Sequence, residues 1–222
     1  MKSIPERHPL RVLFDRLTQK WFRAIGLRDH GVTSYTSNLL ADFVHIDNLY
    51  RIRNATGRRL YEVAELLSEA DPHKTGLQRE REIRKHIGDY TLFILGLFPE
   101  SLEEMRPIER DYLLAHMRKG TEMMEELVRP LYYVWRGREY STVDIRRCYA
   151  EIGKDSYVIV SAYSYRNPAE AQLFNKMARC FDPCVKGLNL VKYELERLQD
   201  PHYRLAKRMI APNGPLPRSD TS

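Results

Sequence analysis

Apolar residues recur three or four positions apart along nearly the whole chain, which is the period of a helix packed on one face. The first such run is Leu10, Leu13, Phe14, Leu17, Trp21 and Ile25. Ser3 and Glu6 ahead of it, with Pro5 between them, have the spacing of a capping box. Gly26 and the Asp29-His30-Gly31 cluster are expected to end that helix. A second helix is expected from Thr33 to Arg53, burying Leu39, Phe43, Ile46 and Tyr50, and a third over 58–70 ending at Asp71-Pro72.

The fourth helix, over 76–98, changes character along its length. Its first half reads Arg79-Glu80-Arg81-Glu82-Ile83-Arg84-Lys85, and its second half, Tyr90 to Phe98, is almost wholly apolar. A helix that is apolar on every side is surrounded by other helices, so 83–98 is expected at the centre. Gly88 and Gly96 each cost about 1 kcal/mol inside a helix, and a close helix contact at each would justify them.

Further helices are expected over 108–135, kinked at Pro130, and over 141–165. The β-branched run Val158-Ile159-Val160 favours a strand, but no second strand is available to pair with it, so helix is preferred. Asn167-Pro168, Asp182-Pro183 and Asp200-Pro201 each place a capping side chain before a proline. They predict helices over 168–181, 183–199 and 201–210. The fold class is therefore all-α, a single multi-helix bundle of about eight helices joined by short loops. One domain is expected over 1–210, with a flexible tail over 211–222.

Composition narrows the setting. A chain of 222 residues buries roughly 70% of its unfolded surface and needs no covalent staples. Three cysteines do not make a disulfide framework, and Cys180-x3-Cys184 has too few further ligands for a structural zinc site. The opening residues lack the apolar core of a signal peptide, and no run approaches the ~20 apolar residues of a membrane span. A cytoplasmic protein with no membrane contact is expected.

The net charge is +6 and the isoelectric point near 9.2, yet the charge is unevenly spread. Residues 1–28 and 51–59 are basic, while 100–126 is rich in glutamate. Separate poles of this kind steer charged partners.

Three constellations could carry chemistry. Asp42 and His45 are three apart on the expected second helix, and Glu82 and His86 four apart on the fourth. Carboxylate and histidine pairs on two helices are how bundles hold metals, so Asp42, His45, Glu82 and His86 form a metal candidate, although Glu82 to His86 is one residue too long for the usual motif. His45, His86, Asp89 and Tyr90 could instead line a small-ligand pocket between facing helices. In a purely structural role, Asp89 would hold His86 by a hydrogen bond one turn away. Finally, Arg136, Arg138, Arg146 and Arg147 are interleaved with Tyr132, Tyr133, Trp135, Tyr140 and Tyr149, a composition suited to nucleic-acid phosphates and bases.

The chain has no glycine-rich phosphate loop, no G-x-S-x-G and no H-E-x-x-H. The expectation is a non-catalytic binding or regulatory protein, acting as an adaptor for a protein partner or as a sensor of a small ligand. A metal- or cofactor-dependent helical enzyme and a nucleic-acid-binding protein are the alternatives. Neither the cofactor nor the oligomeric state is defined by these residues.

Overall fold

The computed structural model describes Pro5 and residues 8–117 and 145–210. It is all-α: helices packed as a bundle, with no strand among the described residues.

Helix α1 spans Pro9–Ala24. It starts later than the Ser3–Glu6 pattern suggests, because His8 is the cap and Pro9 supplies the first helical position. The His8 Nδ1 accepts from the Leu10 amide at 3.2 Å. Ser3 and Glu6 themselves lie outside the described residues. Asp29, read from the sequence as part of a stop, begins α2 (His30–Phe43) instead and accepts from the Val32 amide at 3.0 Å.

The expected single helix over 33–53 is broken. After α2 the chain turns at Val44, and α3 covers only Ile46–Leu49. The Asp42 carbonyl, which would continue the helical ladder, is taken by the His45 amide and by the Asn48 side-chain amide at 2.8 Å. Asparagine competing locally for backbone carbonyls is what ends the run. A turn follows in which Asn54 accepts from the amides of Thr56 and Arg58, and Arg53 and Arg59 form an isolated bridge.

Helix α4 (Val63–Glu69), the short α5 (Pro72–Thr75) and α6 (Leu77–Leu97) come next. Every residue from His86 to Leu97 is buried, which confirms α6 as the central helix. A 3-10 turn, Pro99–Leu102, leads to α7 over 107–117. Pro130 and its expected kink lie outside the described residues, as does the tail over 211–222.

Helix α8 (Ile145–Tyr163) settles 157–160 as helix. Tyr157 and Val160 point into the core while Val158 is exposed. Helix α9 spans Pro168–Arg179, with the Asn167 cap accepting from the Glu170 amide. Helix α10 (Phe181–Arg197) starts before Asp182-Pro183, so that pair occupies its first turn rather than capping it. Helix α11 covers Pro201–Ile210, with Asp200 accepting from the Tyr203 amide.

Glycines let the neighbours close on α6. A Cβ on Gly88 would stand 2.6 Å from the Tyr157 ring of α8, and one on Gly96 2.6 Å from Leu188 of α10. Gly153 of α8 gives the reciprocal approach to Thr91 of α6 and Phe181 of α10. The core then holds Tyr157, Phe174, Phe181, Phe98, Leu17 and Ile83 fully buried.

Candidate functional site

The polar end of the buried stretch of α6 is organised around one carboxylate. Asp89 is only 3% exposed, and a buried carboxylate must be satisfied by donors. Its Oδ1 accepts from the hydroxyl of Tyr35 on α2 at 2.6 Å and from that of Tyr157 on α8 at 2.9 Å. Its Oδ2 accepts from Lys85 Nζ, one turn earlier on α6, at 2.8 Å. The missing side chain at Gly88 is what lets the Tyr157 ring lie against α6 and reach Asp89.

The rings around this hub are stacked edge to face. Tyr35 meets Phe174 at 5.4 Å and Tyr157 at 6.5 Å between centroids, and the Lys85 ammonium lies 5.1 Å over the Tyr35 ring. Burial, followed by the Asp89 charge, pushes both tyrosine hydroxyls well above their ordinary pKa. They remain protonated donors across the physiological range.

Beside this hub lies a recess of about 70 Å³, lined by Tyr35, Asn38, Asp42, Asn48, Arg51, Lys85 and Asp89, with Leu39 and Phe43 as its apolar wall. Asp42 is the exposed side of the charge cluster. Its side chain is 26% exposed and is ion-paired with Arg11 on α1 at 3.6 Å. Arg11 itself donates to Asn38. No hydrogen-bond donor reaches the Asp42 carboxylate among the described residues. Desolvation raises its pKa against the pull of Arg11, Lys85 and Arg51.

The structure separates the residues that the sequence grouped. Asp42 and Asp89 both reach the recess, but His86 does not line it. His86 is buried between Phe43 and Tyr90, at 5.9 and 6.2 Å between ring centroids, and is hydrogen-bonded to the Leu49 backbone. Its Nδ1 has no hydrogen-bond partner, so the expected His86–Asp89 bond is not formed. Asp89 is instead filled by Tyr35, Tyr157 and Lys85. Desolvation, reinforced by Arg51, lowers the His86 pKa to about 3.

His45 sits at the break before α3, where its side chain makes no capping bond. Tyr90 turns away into a second cluster, hydrogen-bonded to Tyr50 and close to Tyr149 and Glu109. Glu82 is on the surface, paired with Arg79 at 2.6 Å. Among the described residues no group of three or more His, Cys, Asp and Glu side chains is placed to hold a metal ion.

Of the nucleic-acid candidates, Arg136 and Arg138 lie outside the described residues. Arg146 pairs with Glu103 at 2.7 Å. Both Arg146 and Arg147 line a broad, open groove of about 530 Å³ between the end of α6, α8 and α10. Lys154 in the same groove is held by Glu151 and Asp182.

Sequence reasoning passed over Tyr35, Asn38, Asn48, Arg51, Lys85 and Tyr157. Only the Lys85–Asp89 pair, four apart on one helix, carried a local signal. Comparison with protein-family models, curated proteins and solved structures gives no match to this chain.

Proposed function

We propose that this protein is a helical binding module that takes a small polar ligand in the recess between α2, the α3 segment and α6. The observation that carries this reading is Asp42: a half-buried carboxylate lining a formed recess, for which the described residues supply an ion pair with Arg11 at 3.6 Å but no hydrogen-bond donor. A carboxylate removed from bulk water gains from any ligand that supplies donors. The walls are already fixed, since Asp89 clamps Tyr35, Tyr157 and Lys85, and preorganised polar groups lose little freedom on binding.

Two of the glutamates after α6 pair within the fold: Glu100 with Lys192 and Lys207, and Glu103 with Arg146. The cytoplasm is the proposed compartment, in keeping with three free cysteines, of which Cys148 and Cys184 are buried. Among the described residues no helix is long and apolar enough to cross a membrane.

A thermal-shift screen of small charged and neutral metabolites tests the proposal. Binding to the native state raises the unfolding midpoint in proportion to the logarithm of ligand excess. At least one compound is expected to raise it in the parent protein and to lose that effect in Asp42→Leu. A screen without any shift, or one in which Asp42→Leu responds equally, would refute the small-ligand reading.

A further inference from the structure

We infer that the groove between the end of α6, α8 and α10 is a second binding site, one that takes an organic anion with an aliphatic body. This goes beyond the small-ligand reading of the recess and does not depend on it.

The groove carries an excess of one charge. Its lining holds Arg146, Arg147, Lys154 and Lys186 against Glu151 and Asp182. Both carboxylates are already engaged by Lys154, at 2.9 and 2.8 Å, and Arg146 is paired with Glu103. The side chains of Arg147 on α8 and Lys186 on α10 are exposed and make no ion pair or hydrogen bond among the described residues. Each of the two flanking helices therefore presents a cation without a carboxylate. A concave surface with surplus charge of one sign draws in a ligand of the other, and a guanidinium or ammonium with unused N–H groups can donate to it.

The floor between these cations is apolar. Leu95 and Pro99 come from the end of α6 and the turn after it, Ala150 from α8 and Val185 from α10. The last carbonyls of a helix repel an anion, but those of Leu95 and Gly96 are taken by the Asn189 amide at 2.9 Å. Among the described residues no aromatic side chain lines the groove, so the bases of a nucleic acid would have nothing to stack on. An aliphatic chain, in contrast, gains from every methylene it buries there.

Size suits a small molecule. The groove has a volume of about 530 Å³, within the roughly 300–1,000 Å³ of sites that take drug-sized ligands. A cation with the same body would meet the repulsion of Arg147 and Lys186, and a neutral one would forgo their attraction, so the anion is selected.

Calorimetric titration of the whole chain with octanoate tests the inference, with acetate, octanol and octylammonium as comparisons. Octanoate is expected to bind saturably, about tenfold or more tightly than any of the three, and to weaken as salt is added. Arg147→Gln and Lys186→Gln should each lower its affinity by about threefold, and the pair together by about tenfold. Both residues are exposed, so the fold is expected to survive, and circular dichroism checks that it does. Asp42→Leu should bind octanoate like the parent, which separates this site from the recess. The inference is wrong if octanoate does not bind, if acetate, octanol or octylammonium binds as tightly, or if the double variant binds like the parent. Loss of octanoate binding in Asp42→Leu would place the ligand in the recess instead. A short oligothymidylate that binds more tightly and displaces octanoate would make the groove a nucleic-acid site.

Discussion

His86 is a histidine that burial has removed from the physiological titration range. Its folded pKa near 3 lies below the usual value of about 6.5, so the unfolded chain binds a proton that the native state refuses. The stability this represents is fully present above about pH 6.5 and drains away as pH falls towards about 3. A displacement of this size corresponds to something on the order of 5 kcal/mol across that window. Asp42, Glu109 and Asp155 act in the opposite sense, because burial raises their carboxyl groups and acid then favours the folded form. If His86 dominates, the parent protein loses thermal stability between about pH 7 and pH 4, and His86→Gln, which keeps a donor for the Leu49 backbone, loses markedly less. Equal losses in the two proteins would show that His86 is not the acid-sensitive group. From sequence alone the residue looked like a ligand or a partner for Asp89. Its i, i+3 spacing was right, but two tyrosines arriving from α2 and α8 take that carboxylate, and no local spacing announces them.

At the scale of elements, α6 was the most legible part of the fold. Its charged first half and all-round apolar second half placed it at the centre, and its glycines marked where neighbours close in. Gly88→Ala would gain about 1 kcal/mol of helix propensity while pushing a methyl to within 2.6 Å of the Tyr157 ring. Overpacking costs roughly 1–3 kcal/mol and would also pull the Tyr157 hydroxyl off Asp89. The expected outcome is a net loss in chemical denaturation together with weaker ligand binding. A Gly88→Ala protein as stable as its parent would mean that the two helices are not held at this distance. The break after α2 was not legible, since the apolar period continues through Leu39, Phe43, Ile46 and Tyr50. The side-chain amide of Asn48 ends the helix by taking the Asp42 carbonyl, and Asp42 and Asn48 both line the recess.

Across the whole molecule, pairings distant in sequence bind the two halves of the chain. Lys20 and Trp21 of α1 both donate to Glu194 of α10, at 2.8 and 2.6 Å. Lys176 of α9 reaches Asp29 at the start of α2 at 2.7 Å, and Tyr35 of α2 and Tyr157 of α8 meet on one oxygen of Asp89. The apolar period indicated the all-α class, while the charged stretches find partners elsewhere in the fold: Arg11 pairs with Asp42, Lys20 with Glu194 and Arg59 with Asp47, and Glu100 pairs with Lys192 and Lys207. The recess could not be read from sequence because its lining comes from α2, the turn after it and α6, and each contributes residues that are ordinary in their local context. What remains distinctive is the polar hollow beside a buried, fully satisfied aspartate.

The most direct test of that hollow is a map of backbone amide resonances in the isotope-labelled protein, recorded with and without a compound that the thermal-shift screen returns. The account predicts perturbations concentrated over residues 35–51 and 85–89, absent in Asp42→Leu. Perturbations centred instead on the groove between α8 and α10, or no saturable change anywhere, would contradict it.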